Sequence, residues 1–95
     1  MIMYKTNEYF DGKVKSIAFE TAECPATIGV MAEGEYEFGT STVEYMTVTS
    51  GKMEIKQPDE DVWKTYKAFD TFKVEKDVKF KVKAESDTTY LCLYK

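Results

Sequence analysis

Val78-Lys79-Phe80-Lys81-Val82-Lys83 alternates apolar and charged side chains without a break. Successive side chains of an extended strand point to opposite faces, so Val78, Phe80 and Val82 face an interior while the three lysines face water. A helix would scatter the same residues around its axis. The lysines also discourage pairing with a foreign strand. Met53-Glu54-Ile55-Lys56 repeats the pattern, entered through Ser50-Gly51-Lys52 and closed by Gln57-Pro58-Asp59. Working outward, the same period predicts strands over residues 12–19, 27–31, 34–38, 44–49, 63–66, 69–74 and 89–94. Turn signals separate them at Asp11-Gly12, Glu33-Gly34, Gly39-Thr40-Ser41, Pro58-Asp59-Glu60-Asp61, Lys76-Asp77 and Glu85-Ser86-Asp87. Short strands at these intervals make the chain all-β, a sandwich or a closed barrel.

Ninety-five residues leave room for one core, so the expectation is one domain over residues 1–95. An apolar fraction of 43% with 15% aromatics is ample for a packed interior. A domain this small buries a modest share of its surface, and dimerisation through an apolar sheet face, a homodimer, is the natural supplement. All thirteen basic residues are lysines and the net charge is −4. The chain therefore has no arginine fork and no net basic character, which argues against nucleic-acid binding. It has no histidine, and Cys24 and Cys92 stand far apart, so a histidine-based metal centre and a thiol–histidine pair are both excluded. Both cysteines are read as free thiols, Cys92 as a core residue within Tyr90-Leu91-Cys92-Leu93-Tyr94. The N-terminal stretch Met-Ile-Met-Tyr-Lys-Thr-Asn-Glu carries no hydrophobic leader, and no run approaches the length of a membrane span. Cytoplasmic location without membrane association is expected. Trp63 and Tyr66, beside the Pro58-Asp59 turn, are expected to anchor a core-facing strand, although their parity puts them on opposite sides of a regular one. On that reading Trp63→Ala costs about 3–5 kcal/mol.

One spacing is more specific than alternation. Glu44 is followed by Gly51 in Glu44-Tyr45-Met46-Thr47-Val48-Thr49-Ser50-Gly51, which resembles the second half of the first cupin motif. The histidines that a metal-binding cupin places around that motif are missing, their neighbourhoods reading Glu37-Phe38-Gly39-Thr40 and Phe80-Lys81-Val82. The chain is more closely similar to one small cupin family, the bacterial pyrimidine/purine nucleoside phosphorylases. The resemblance runs through Asn7-Glu8-Tyr9-Phe10-Asp11-Gly12-Lys13-Val14, Ile28-Gly29-Val30-Met31, Gly34-Glu35-Tyr36-Glu37-Phe38-Gly39-Thr40, the Glu44–Gly51 motif, Trp63, Tyr66 and Tyr90-Leu91-Cys92-Leu93-Tyr94. It implies a single-domain, cupin-like β-barrel of jelly-roll type. It also implies phosphorolysis: a nucleoside and inorganic phosphate give a free base and ribose 1-phosphate, reversibly and with broad base tolerance. Phosphate is then a co-substrate and no cofactor or metal is required. The chain departs from the family pattern where Phe69 replaces a glycine and Val74-Glu75-Lys76-Asp77-Val78 replaces a Val-Pro segment, so a changed loop is expected at the barrel mouth.

Phosphorolysis passes through an oxocarbenium-like sugar and needs a sugar-hydroxyl acceptor, phosphate donors and a partner for the leaving base. Glu44, on a position that points inward in cupins, is the candidate acceptor. Tyr36 and Phe38 share one face of a strand and offer an aromatic wall, or simply fill the core. Tyr90 offers a hydroxyl from the last strand. Thr40 and Ser41, with the amides of their loop, are the available phosphate donors, and Asp77 is placed to meet base or ribose. Without histidine, any general acid must be Asp, Glu, Tyr or Lys. Ligand binding without catalysis is the alternative, and an open interior pocket with Glu44 in its wall is the observation that bears on it.

Overall fold

Each inward position of the Phe80 segment finds the interior it calls for. In the computed structural model, which describes residues 3–95, Phe80, Val82 and Ala84 are buried and Lys79 and Lys81 are exposed. Met1 and Ile2, part of the N-terminal stretch considered above, lie outside the described residues. Ten strands follow one another: β1 Thr6–Tyr9, β2 Val14–Glu20, β3 Pro25–Met31, β4 Gly34–Gly39, β5 Glu44–Ser50, β6 Lys52–Lys56, β7 Lys64–Lys67, β8 Thr71–Val74, β9 Lys79–Ala84 and β10 Thr88–Tyr94. They form a six-stranded sheet in the order β1-β2-β3-β10-β5-β8 and a four-stranded sheet in the order β4-β9-β6-β7. Every pairing is antiparallel. The sheets face each other as the two halves of a jelly roll rather than closing into a continuously hydrogen-bonded barrel.

Register follows from the pleat. Val14, Met31, Met46, Val48, Phe72, Val74, Tyr90 and Cys92 from the larger sheet meet Tyr36, Met53, Ile55, Phe80, Val82 and Ala84 from the smaller in one buried cluster. The two outer faces differ. On the smaller sheet, Glu35, Lys83 and Glu54 stand side by side, as do Glu37, Lys81 and Lys56, giving a charged, solvated surface. On the larger sheet, Ile17, Ile28 and Leu91 form an apolar cross-strand row.

The Glu44–Gly51 spacing has a mechanical reading. Strand β5 runs from Glu44 at one end of the sandwich to the turn at Gly51, whose φ of 86° favours glycine. A Cβ there would also stand 2.8 Å from Thr88 Oγ1 and 3.0 Å from the Asp87 carbonyl oxygen. Thr88 is fully buried, and its hydroxyl reaches the carbonyls of Lys52 and Ser86 at 3.2 and 3.0 Å. Gly51 thus lets two chain reversals pack without a gap.

Three expectations change. Strand β1 was not anticipated: its side chains are exposed or half-buried and show no apolar alternation, so it exists through its ladder with β2. Phe69 opens no strand; it lies in the β7–β8 turn with φ of 75° and is 81% exposed. Trp63 precedes β7 and is half-buried outside the core, with Lys83 Nζ 4.0 Å from its ring centroid. Tyr66 is the residue that turns inward, its ring centroid 4.6 Å from that of Phe72. The contact at Trp63 is a cation–π pair at the surface. Trp63→Ala is therefore expected to cost only about 0.5–1 kcal/mol, checked by denaturant unfolding, and a loss of several times that would return Trp63 to the core.

Candidate active site

A cavity of about 410 Å³ opens between the sheets at the end where β5 begins. Its walls are chemically divided. Phe10, Phe38 and Phe80 make an aromatic side, while Ser16, Glu44, Tyr90 and Tyr94 come from the larger sheet, with Tyr9, Glu37 and Ser41 also in the lining. Among the described residues, none of the thirteen lysines lines it.

Each wall has a local cause. Phe10 arrives through the β1–β2 turn, where Gly12 N donates to the Tyr9 carbonyl at 3.2 Å and Phe10 and Asp11 have φ of 54° and 57°. With Gly12 at φ of 86°, three successive residues of this four-residue connection between Tyr9 and Val14 have positive φ, where a bulky residue is an uncommon occupant. The ring that the turn delivers packs 5.0 Å from Tyr36 and edge-on to Phe38 at 5.5 Å, and Phe38 packs 5.9 Å from Phe80. Across the cavity, Tyr90 lies opposite Gly29 in the β3–β10 ladder. A Cβ at residue 29 would fall 2.5 Å from the Tyr90 ring, so glycine is what permits the phenol to lie flat over the strand.

Glu44 is the interior carboxylate of this site. Burial pushes its pKa above the ordinary carboxylate value, and a hydrogen bond from Cys92 opposes the rise. The thiol donates from Sγ to Glu44 Oε1 at 3.4 Å. Burial raises the Cys92 thiol itself and pushes Tyr90 up to about 12, so both stay protonated at neutral pH. Tyr94 is raised by burial too, and its hydroxyl pairs with Thr27 Oγ1 at 2.9 Å. At neutral pH the cavity presents neutral donors together with the carboxyl groups of Glu37 and Glu44. Among the described residues no three His, Cys, Asp or Glu side chains converge on a point that could hold a metal ion.

Of the residues singled out in the sequence, Glu44, Phe38, Ser41 and Tyr90 come together in this lining. Three do not reach it. Tyr36 is buried one layer behind, donating its hydroxyl to the Ala32 carbonyl at 2.7 Å while its ring supports Phe10. Thr40 is buried and committed to the backbone: its hydroxyl donates to the Glu75 carbonyl at 2.7 Å and accepts from Val78 N at 3.1 Å. Asp77 is exposed in the β8–β9 turn with φ of 59°, and it is its amide, not its carboxylate, that meets Thr40. The changed 74–78 segment is thus clasped onto the β4–β5 corner. Apart from the core residues Met31, Met46 and Phe80, five lining side chains escaped the sequence reading. Tyr9 ends β1 and Phe10 follows it in the turn, Ser16 is a small polar residue on an inward position, and Tyr94 closes β10. Glu37 has the outward parity of its strand and reaches the mouth only at the strand's end.

Residues 4–94 match the sequence profile of the pyrimidine/purine nucleoside phosphorylase family. The chain belongs to that family. A relative named pyrimidine/purine nucleoside phosphorylase from Alcanivorax borkumensis is 61% identical over 92 residues, covering 97% of this chain and 98% of the relative. The crystal structure of a protein of unknown function from Vibrio parahaemolyticus superposes with a TM-score of 0.94 at 39% identity, covering 99% of this chain and 100% of that one. An RmlC-like cupin from Shewanella frigidimarina superposes with a TM-score of 0.76 at 18% identity, covering 97% of this chain and 83% of that one. That likeness establishes the fold as a cupin-type jelly roll.

Proposed function

We propose that the chain is a nucleoside phosphorylase of broad base tolerance that cleaves purine and pyrimidine nucleosides with inorganic phosphate, without metal or other cofactor. The observation that carries the reading, beside family membership, is the open cavity with Glu44 in its wall. Its divided lining suits a nucleoside: the base stacks against Phe10 and Phe38, and the ribose hydroxyls donate to Glu44. As the C1′–N bond breaks, its electron pair leaves with the base, and a hydrogen phosphate oxygen bonds to C1′ to give ribose 1-phosphate. The proton that the phosphate gives up is the one the departing base nitrogen gains. Positive charge on the sugar strengthens the hydrogen bonds that its hydroxyls give to Glu44. With no lysine in the lining, phosphate is met by neutral donors, the hydroxyls of Ser41, Ser16 and the tyrosines. Stacking on aromatic faces is indifferent to base identity, which is the basis of the tolerance.

The lysine-free lining is also what favours the second reading, nucleoside binding without phosphorolysis. Incubation with a panel of nucleosides separates the two. Free base released only with phosphate, from purines and pyrimidines alike and undiminished by chelators, supports the enzyme. Saturable nucleoside binding with no base released overturns it.

The apolar row Ile17–Ile28–Leu91 supports a homodimer formed through the outer face of the larger sheet, since the opposite outer face is charged. Ile28 is 48% exposed there. Ile28→Lys is expected to convert a sedimenting dimer into a folded monomer; a variant that sediments as the wild type would exclude this face.

A further inference from the structure

Cys92 was read from sequence as core filling, and it is indeed buried. Its surroundings are not purely apolar. Strand β10 sets Cys92 opposite Thr27 on one side and Met46 on the other, and sets Tyr94 opposite Glu44. Thr27 Oγ1 and the Tyr94 hydroxyl are hydrogen-bonded at 2.9 Å, and the Cys92 thiol donates to Glu44 Oε1 at 3.4 Å. Tyr94 and Thr27 thus place a second polar pair beside the thiol and the carboxylate. A donor that reaches one carboxylate oxygen favours one orientation of the acceptor.

We infer that Cys92, with Tyr94 and Thr27 beside it, is a positioning residue whose thiol holds the Glu44 carboxylate and aims it into the cavity. The inference rests on the nucleoside phosphorylase reading for its consequence in turnover, but not for its consequence on Glu44 itself. The cavity's other polar lining groups are Tyr9 from the first hairpin, Ser16 from β2, Glu37 from β4, Ser41 from the β4–β5 corner, and Tyr90 and Tyr94 from β10. Strand β8 presents only Val74 opposite it, and β9 only Phe80. Cys92 is therefore the neighbour that hydrogen-bonds directly to the carboxylate among the described residues.

The test separates donor from filler. Cys92→Val keeps the volume and loses the donor; Cys92→Ser keeps a donor and loses volume. The titration of the Glu44 carboxyl is followed by carbon NMR in wild type and both variants, alongside kcat and KM for phosphate-dependent base release. In Cys92→Val the Glu44 midpoint is expected to move to higher pH, with kcat down about tenfold and KM little changed, whereas Cys92→Ser recovers most of both. Should the valine variant fold poorly, Cys92→Ala, which also removes the donor, is expected to move the midpoint in the same direction. Coincident Glu44 midpoints in wild type, Cys92→Val and Cys92→Ala would overturn the inference, leaving Cys92 as packing. A midpoint that moves in a wild-type background releasing no base would overturn the phosphorylase reading and leave the positioning role standing.

Discussion

Glu44→Gln is expected to lower phosphate-dependent base release by about 10- to 150-fold, because a charge-assisted hydrogen bond is worth about 1.5–3 kcal/mol. The loss should fall on kcat, since the ribose hydroxyls gain from the negative charge mainly as positive charge develops on the sugar. Glutamine keeps the shape and one acceptor oxygen, so binding should change little. The pH dependence has a definite sign. Burial raises the pKa of Glu44 in the folded protein above its ordinary value. Wild-type turnover should therefore fall off on the acid side as pH drops through that raised value, and the glutamine variant should lack this limb. Stability moves the opposite way. A carboxyl whose folded pKa is raised favours the fold below its unfolded pKa, and that contribution disappears as pH rises through the folded one. The uncharged amide carries no such penalty, and the variant should melt no lower than wild type at neutral pH. Full turnover with an unaltered melt would remove Glu44 from the site. A lowered melt with proportionate loss of activity would make it structural.

Glu44 could be read from the sequence because its spacing to Gly51, which the turn explains, resembles a cupin motif whose glutamate points inward. Phe38 was legible from strand parity and Tyr90 from its place on the last strand. Parity failed where the chain stops being a regular strand. Phe10 gains its place in the wall from a left-handed turn, and Glu37 reaches the mouth from the nominally outward face. The misplacement of Trp63 has the same root, since ring size argues for burial while the backbone before β7 sets the ring over Lys83 on the outside. Thr40 has a hydroxyl as suitable for phosphate as that of Ser41. Only the approach of the 74–78 turn, a contact thirty-five residues away, shows that this hydroxyl is already spent. Sequence period reports which residues face inward. Which of them border an opening rather than fill the core depends on how the two sheets diverge, and no local pattern carries that.

Phe80→Ala is expected to be the most destabilising of these changes, at about 3–5 kcal/mol. Phe80 is 1% exposed near the start of β9, opposite Phe38 of β4. It also lines the cavity and packs against Phe38. Truncation therefore leaves a void continuous with the active-site opening, and water can enter from the mouth instead of the walls collapsing. A domain of this length has only about 5–14 kcal/mol of stability in all, so the loss is a large share of it. At about 4–8 °C per kcal/mol for a chain of this size, melting should fall by well over 10 °C. Phe80→Leu, which retains most of the buried volume, should lose less than half as much and keep the wall that supports Phe38. Activity supplies the discriminating comparison. The leucine variant should still release base at temperatures where it is folded, since Phe80 touches Phe38 and not Glu44's donors. The contrast with Trp63 is quantitative: two aromatic residues of similar apparent value in the sequence should differ several-fold in cost, because only one has the second sheet above it. A melt of Phe80→Ala within about 2 °C of wild type would mean that the sheets close over the void, and that the cavity wall is not the rigid element on which the aromatic side of the site depends.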